Sequence, residues 1–154
     1  MKHRYIFIAV LLALTFLLTA CSAGNDAERQ AESGSAMAGD TVERFAEATP
    51  GSGENINVPG YEELTLQAGS KFQKVYLFNP ANNAAYFVMT LTLVSGETLW
   101  KGKALYPGEA FTGITLRKPL NAGEYAAILH YDCFSVSNNE PLNGAEVQLN
   151  LIVD

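Results

Sequence analysis

The chain is 154 residues long, carries a formal net charge of −6, and 48% of its residues are hydrophobic. That length favours a single domain. The acidic balance excludes nucleic acid as a ligand, since phosphate binding needs clustered Lys and Arg, and it argues against binding of anionic headgroups by the folded part. Two cysteines, Cys21 and Cys133, are too few for a disulfide framework.

Residues 1–4 form a short cationic start with Lys2 and Arg4, and residues 5–18 are almost wholly apolar. Leu18-Thr19-Ala20-Cys21 then closes the run with small residues and a cysteine. This order describes an export signal, and the apolar run is shorter than the roughly 20 residues a spanning helix needs. The tetrapeptide resembles the lipobox of bacterial lipoproteins. The resemblance implies cleavage of residues 1–20, a diacylglycerol thioether on Cys21, and an extracytoplasmic protein anchored to the bacterial cell membrane through that lipid. Two acyl chains hold stably where one is marginal. An ordinary secretory signal cut nearby, or an uncleaved signal anchor, are the competing readings. Ser22 supplies no cue for inner-membrane retention.

Residues 21–58 are rich in Ala, Gly, Ser and Glu and poor in large apolar side chains. Such a segment cannot bury enough surface to offset its ordering entropy, so a disordered, acidic tether is expected. One local pattern stands out. Asp40-Thr41-Val42-Glu43 has the spacing of a helix capping box, which predicts a transient helical turn over 41–48, ended by Pro50.

From Pro59 onward the pattern changes to strands. Aromatic and β-branched residues rise, and turn residues recur every 8–12 positions, as in an all-β sandwich or barrel. Seven strands are expected at 61–67, 72–78, 86–94, 98–104, 110–116, 124–136 and 145–153. The clearest is 86–94, where Phe87, Met89, Leu91 and Leu93 alternate with Thr90 and Thr92, the mark of a sheet buried on one face. Ser95-Gly96-Glu97 and Pro107-Gly108 mark turns. The expected core comprises Leu64, Leu66, Val75, Leu77, Phe87, Met89, Leu91, Leu93, Ile114, Leu116, Tyr125, Leu129, Val147, Leu149 and Leu151.

Leu120-Asn121-Ala122-Gly123-Glu124-Tyr125 leads into the longest strand. This stretch resembles the tyrosine corner of immunoglobulin-like and fibronectin-type domains, in which a tyrosine entering the penultimate strand bonds back to the backbone just upstream. The resemblance covers residues 59–154 and implies a seven-stranded immunoglobulin-like β-sandwich, with Tyr125 bridging toward Asn121. The cysteine pair of antibody domains is absent, and Trp100 follows a turn instead of occupying a plain core position.

Chemistry-bearing residues are sparse. His3 leaves with the signal, so His130 is the only imidazole of the mature chain. His130 and Asp132 share a strand face, yet a zinc site wants three or four ligands and no further His or Cys is spaced to complete one. Gly-X-Ser-X-Gly is absent. Cys133 alternates in phase with Tyr125 and reads as a small buried residue without the helix end or base that would activate a thiol. Glu62, Glu63, Glu97, Glu109, Glu124 and Glu140 are scattered and define no paired-carboxylate cleft. No cofactor and no metal are therefore expected, and no catalytic residue. What remains are aromatic and amide side chains near turns. Asn82, Asn83, Trp100, Tyr106, Asn138 and Asn139 are the candidate binding residues, because loops on a rigid sheet carry recognition. The expected function is a lipid-anchored, non-catalytic module binding or adhering to a protein or envelope polymer. A structural or accessory subunit of a larger membrane-bound envelope assembly is the alternative.

Overall fold

The computed structural model describes residues 39–49 and 56–154. The expected export signal, the lipobox-like tetrapeptide with Cys21, and residues 22–38 and 50–55 lie outside the described residues.

The described residues form eight strands and no helix: β1 (Thr41–Arg44), β2 (Glu63–Leu66), β3 (Phe72–Phe78), β4 (Ala85–Leu93), β5 (Thr98–Leu105), β6 (Glu109–Thr115), β7 (Gly123–Ser135) and β8 (Ala145–Val153). They make a three-stranded sheet ordered β1-β6-β3 and a five-stranded sheet ordered β2-β8-β7-β4-β5. All pairings are antiparallel except β2 with β8. The expected all-β class holds, while the count of seven strands is corrected to eight.

The extra strand is β1, where the capping-box pattern predicts a helical turn. A helix this short gains little on its own. Thr41–Arg44 instead pairs with β6, and Asp40, the expected cap, serves contacts far away in sequence. Its Oδ2 accepts from Trp100 Nε1 at 2.8 Å, and its Oδ1 accepts from the Thr115 amide at 2.9 Å. Tertiary pairing overrides the local signal. The boundary at Pro59 shifts for the same reason: Val42, Ile56 and Val58 pack on the core, so residues 39–49 and 56–58 belong to the folded unit and not to a tether.

One apolar core lies between the sheets. In β4 the side chains of Ala85, Phe87, Met89 and Leu91 are buried, as the two-residue period dictates. Trp100 of β5 meets Phe111 of β6 edge-on, with centroids 5.0 Å apart and planes at 88°, and joins the two sheets. Phe87 and Tyr131 make a second edge-on pair at 5.3 Å. Gly102 lies under the first pair: a Cβ there would come within 2.6 Å of the indole and 2.8 Å of Phe111.

Two buried amides fasten the ends. Gln73 accepts from the Gln67 amide at 2.7 Å and donates to the Gln67 and Ser70 carbonyls at 3.0 and 2.8 Å, closing the β2–β3 turn. Asn79 donates to the carbonyls of Ala85 and Leu105 at 2.9 and 3.0 Å and accepts from Asn83 at 2.7 Å.

Candidate functional site

The β3–β4, β5–β6 and β7–β8 loops gather at one end of the molecule. The amide of Val136 donates to Ala84 O at 3.0 Å, and those of Asn79 and Gly108 donate to Glu109 O and Asn79 O at 2.9 and 3.0 Å. Asn82, Asn138 and Asn139 are exposed on this rim. Asn138 Oδ1 accepts from the Glu140 amide at 3.1 Å, and Asn139 turns the chain with φ 60°, a conformation asparagine tolerates.

Two of the expected binding residues are not on the surface. Trp100 is fully buried and hydrogen-bonded to Asp40. It enters the core because β5 slips register against β4 between Leu91 and Thr92, placing Leu99 and Trp100 inward in succession. Asn83 is buried as well. Its Nδ2 donates to Asn57 O at 2.9 Å and its Oδ1 accepts from the Asn57 amide at 2.9 Å, so its amide is spent on holding residue 57.

Tyr106 stands in a row of rings on the outer face of the large sheet. Its centroid lies 5.1 Å from that of Tyr86, which is 5.2 Å from Phe134 at an interplanar angle of 15°. The row follows from register: Tyr86 of β4 lies opposite Phe134 of β7. Packed on one another in this way, the three side chains form an aromatic wall.

Below the row, His130 faces two partners. Nε2 lies 2.8 Å from Thr92 Oγ1 and Nδ1 lies 3.1 Å from Glu146 Oε1. His130 and Glu146, together with Asp132 and Gly144, line an open hollow of about 290 Å³. Sequence spacing paired His130 with Asp132 and missed Glu146 and Thr92; cross-strand register, which places Glu146 opposite His130, is the signal that finds the first. Among the described residues no group of three or more His, Cys, Asp or Glu side chains is arranged to hold a metal ion.

Tyr125 Oη donates to Asn121 O at 3.0 Å, tying the start of β7 to the turn before it. Cys133 is buried. Burial first, then the Asp132 charge, pushes its thiol from 9.0 up to about 11. Burial also raises the phenols of Tyr61 and Tyr131 above 10.0. Each group holds its proton more tightly folded than unfolded. Its contribution to stability is therefore complete below the unfolded value and is lost as pH rises through the folded one. The thermal midpoint is expected to fall as pH rises from 9.0 toward about 11, with the Cys133 share missing in Cys133→Ala. Iodoacetamide at neutral pH should leave Cys133 unmodified until urea unfolds the chain.

None of the family descriptions, curated proteins or solved structures compared with the chain matches it.

Proposed function

We propose that the protein is an exported bacterial lipoprotein whose domain, an immunoglobulin-like sandwich, binds a protein or envelope polymer without catalysing a reaction. The lipobox-like Leu18-Thr19-Ala20-Cys21 supports the anchor. Three features support the immunoglobulin-like assignment: the strand order β2-β8-β7-β4-β5 opposite β6 and β3, the Tyr125 bond at the head of the penultimate strand, and a core shared by both sheets. Trp100 on β5 departs from the usual core position.

The observation that carries the binding reading is the rim. The ring row of Tyr106, Tyr86 and Phe134 adjoins the exposed Asn82, Asn138 and Asn139 on loops that a rigid sheet positions. Amide groups both donate and accept, which suits hydroxyl-rich polymers and peptide backbones. The test is cross-linking of the intact lipoprotein in its own envelope, followed by Asn82→Ala, Asn138→Ala and Tyr106→Ala. Loss of a defined cross-link at an unchanged thermal midpoint supports the rim. Full retention of that cross-link in all three variants removes it. Intact mass of the mature N-terminus tests the anchor separately.

A further inference from the structure

We propose that the outer face of the small sheet, presenting Phe45, Phe72 and Tyr76, rests on the headgroup interface of the membrane that holds the lipid on Cys21; this builds on the anchor reading above. Six large apolar side chains are exposed among the described residues, and three of them, Phe45 (46%), Phe72 (44%) and Tyr76 (52%), lie on this sheet or at its edge. Phe72 and Tyr76 are both exposed on β3, four positions apart, with a register shift against β6 between Lys74 and Leu77. Phe45 follows β1 and packs 6.3 Å from Tyr76 and 6.0 Å from Phe78. Phe72 leans over Gly113 of β6, where a Cβ would meet its ring at 2.5 Å. The aromatic surface thus crosses all three strands. Val94, Val136 and Leu142, the other exposed residues, sit singly in turns and loops.

Three observations select a bilayer as the occupant. The first is size. Three half-exposed rings offer roughly 100 Å² each, a small patch on a sheet whose other exposed strand residues are Thr41, Glu43, Arg44 and Lys74. Aromatic side chains at that density are what a membrane interface takes up.

The second is charge. The large-sheet strands carry Glu63, Glu124, Asp132 and Glu146 against only Lys101 and Lys103 of β5, a net charge of −2. The small-sheet strands balance Arg44 and Lys74 against Glu43 and Glu109, with Arg44 bound to Glu109 at 2.7 Å. Lys71 adds a cation at the foot of β3. Anionic headgroups repel the large-sheet side of the domain more than the balanced small-sheet side.

The third is where the chain comes from. Gly39 heads β1, in the same sheet as the rings, only 18 residues after Cys21. That segment reaches at most about 65 Å when extended. A link this short holds the face at an effective concentration on the order of millimolar, so a weak contact suffices. Docked this way, the domain turns the ring row and the His130 hollow of the large sheet away from the membrane.

The test uses the intact lipoprotein in vesicles of phosphatidylcholine with a minor fraction of phosphatidylglycerol and a lipid bearing a photoreactive group at headgroup level. Peptide mapping after irradiation is expected to find label on the segments holding Phe45 and residues 71–78. Label should be lost from both in a Phe45→Ser, Phe72→Ser, Tyr76→Ser protein whose thermal midpoint is unchanged. Should that protein fail to fold, Phe72→Ser and Tyr76→Ser alone are each expected to lose the label near the changed ring. Label spread evenly over the domain, confined to residues before Gly39, or absent from the domain altogether overturns the proposal. The same sample's mass reads the lipid on Cys21. Lipid present with label elsewhere defeats the docking alone, whereas lipid absent defeats the anchor and the docking together.

Discussion

Trp100→Ala is expected to remove about 3–5 kcal/mol of stability, the cost of deleting a large buried aromatic. Small domains hold only about 5–15 kcal/mol in total, so the variant should sit near its unfolding limit. The indole contributes in two ways. Its rings fill the space between the sheets against Phe111 and above Gly102. Its Nε1 donates to Asp40, a carboxylate whose pKa burial raises even though the bonds from Trp100 and Thr115 and the Lys103 charge oppose the shift. Removing the donor leaves that desolvated carboxylate with one partner fewer. Trp100→Phe separates the two contributions, since it keeps most of the ring and should cost about 1–3 kcal/mol for the lost hydrogen bond. Urea titration measures both. An effect of Trp100→Ala within about 0.5 kcal/mol would be that of a surface residue and would contradict the burial described above.

The second large effect is expected at Asn79. Its side chain is fully buried and makes three hydrogen bonds, to Ala85 O, Leu105 O and Asn83 Nδ2. Asn79→Ala strands two carbonyls and a donor away from water, at about 1–3 kcal/mol for each group left without a partner. A combined loss of about 3–5 kcal/mol is expected after partial relaxation. Asn83→Ala should cost less, because it releases mainly residue 57. In a double-mutant cycle the pair should couple by at least about 0.5 kcal/mol. An additive double mutant would show that the Asn79–Asn83 bond contributes nothing.

These residues also mark where sequence reading succeeds and where it stops. β4 was legible because its inward positions strictly alternate from Ala85 to Leu91, and each lands in the core. The expected strand at 72–78 coincides with Phe72–Phe78 and that at 145–153 with Ala145–Val153, for the same reason. β5 keeps no such period. Its register shift puts Leu99 and Trp100 inward together, so a core tryptophan looks like a turn residue. Asn79 and Asn83 sit in a loop-like Asn-Pro-Ala-Asn-Asn run, and nothing local separates an amide that faces water from one that closes a buried network. β1 is the clearest limit. Its four residues are mostly exposed and fit a capping box, and only Glu109–Thr115, more than 60 positions later, makes them a strand. The rim loops were named from their amides, but the ring wall beside them depends on the β4–β7 pairing, which is a long-range fact.

That dependence of β1 on β6 imposes an order of events on the nascent chain. Residues 41–44 emerge early, yet their partner is the sixth strand, so they must idle unpaired until the middle of the polypeptide has appeared. β2 waits longer still, since its partner β8 is the final strand, so both early strands join their sheets only after most of the polypeptide has been made.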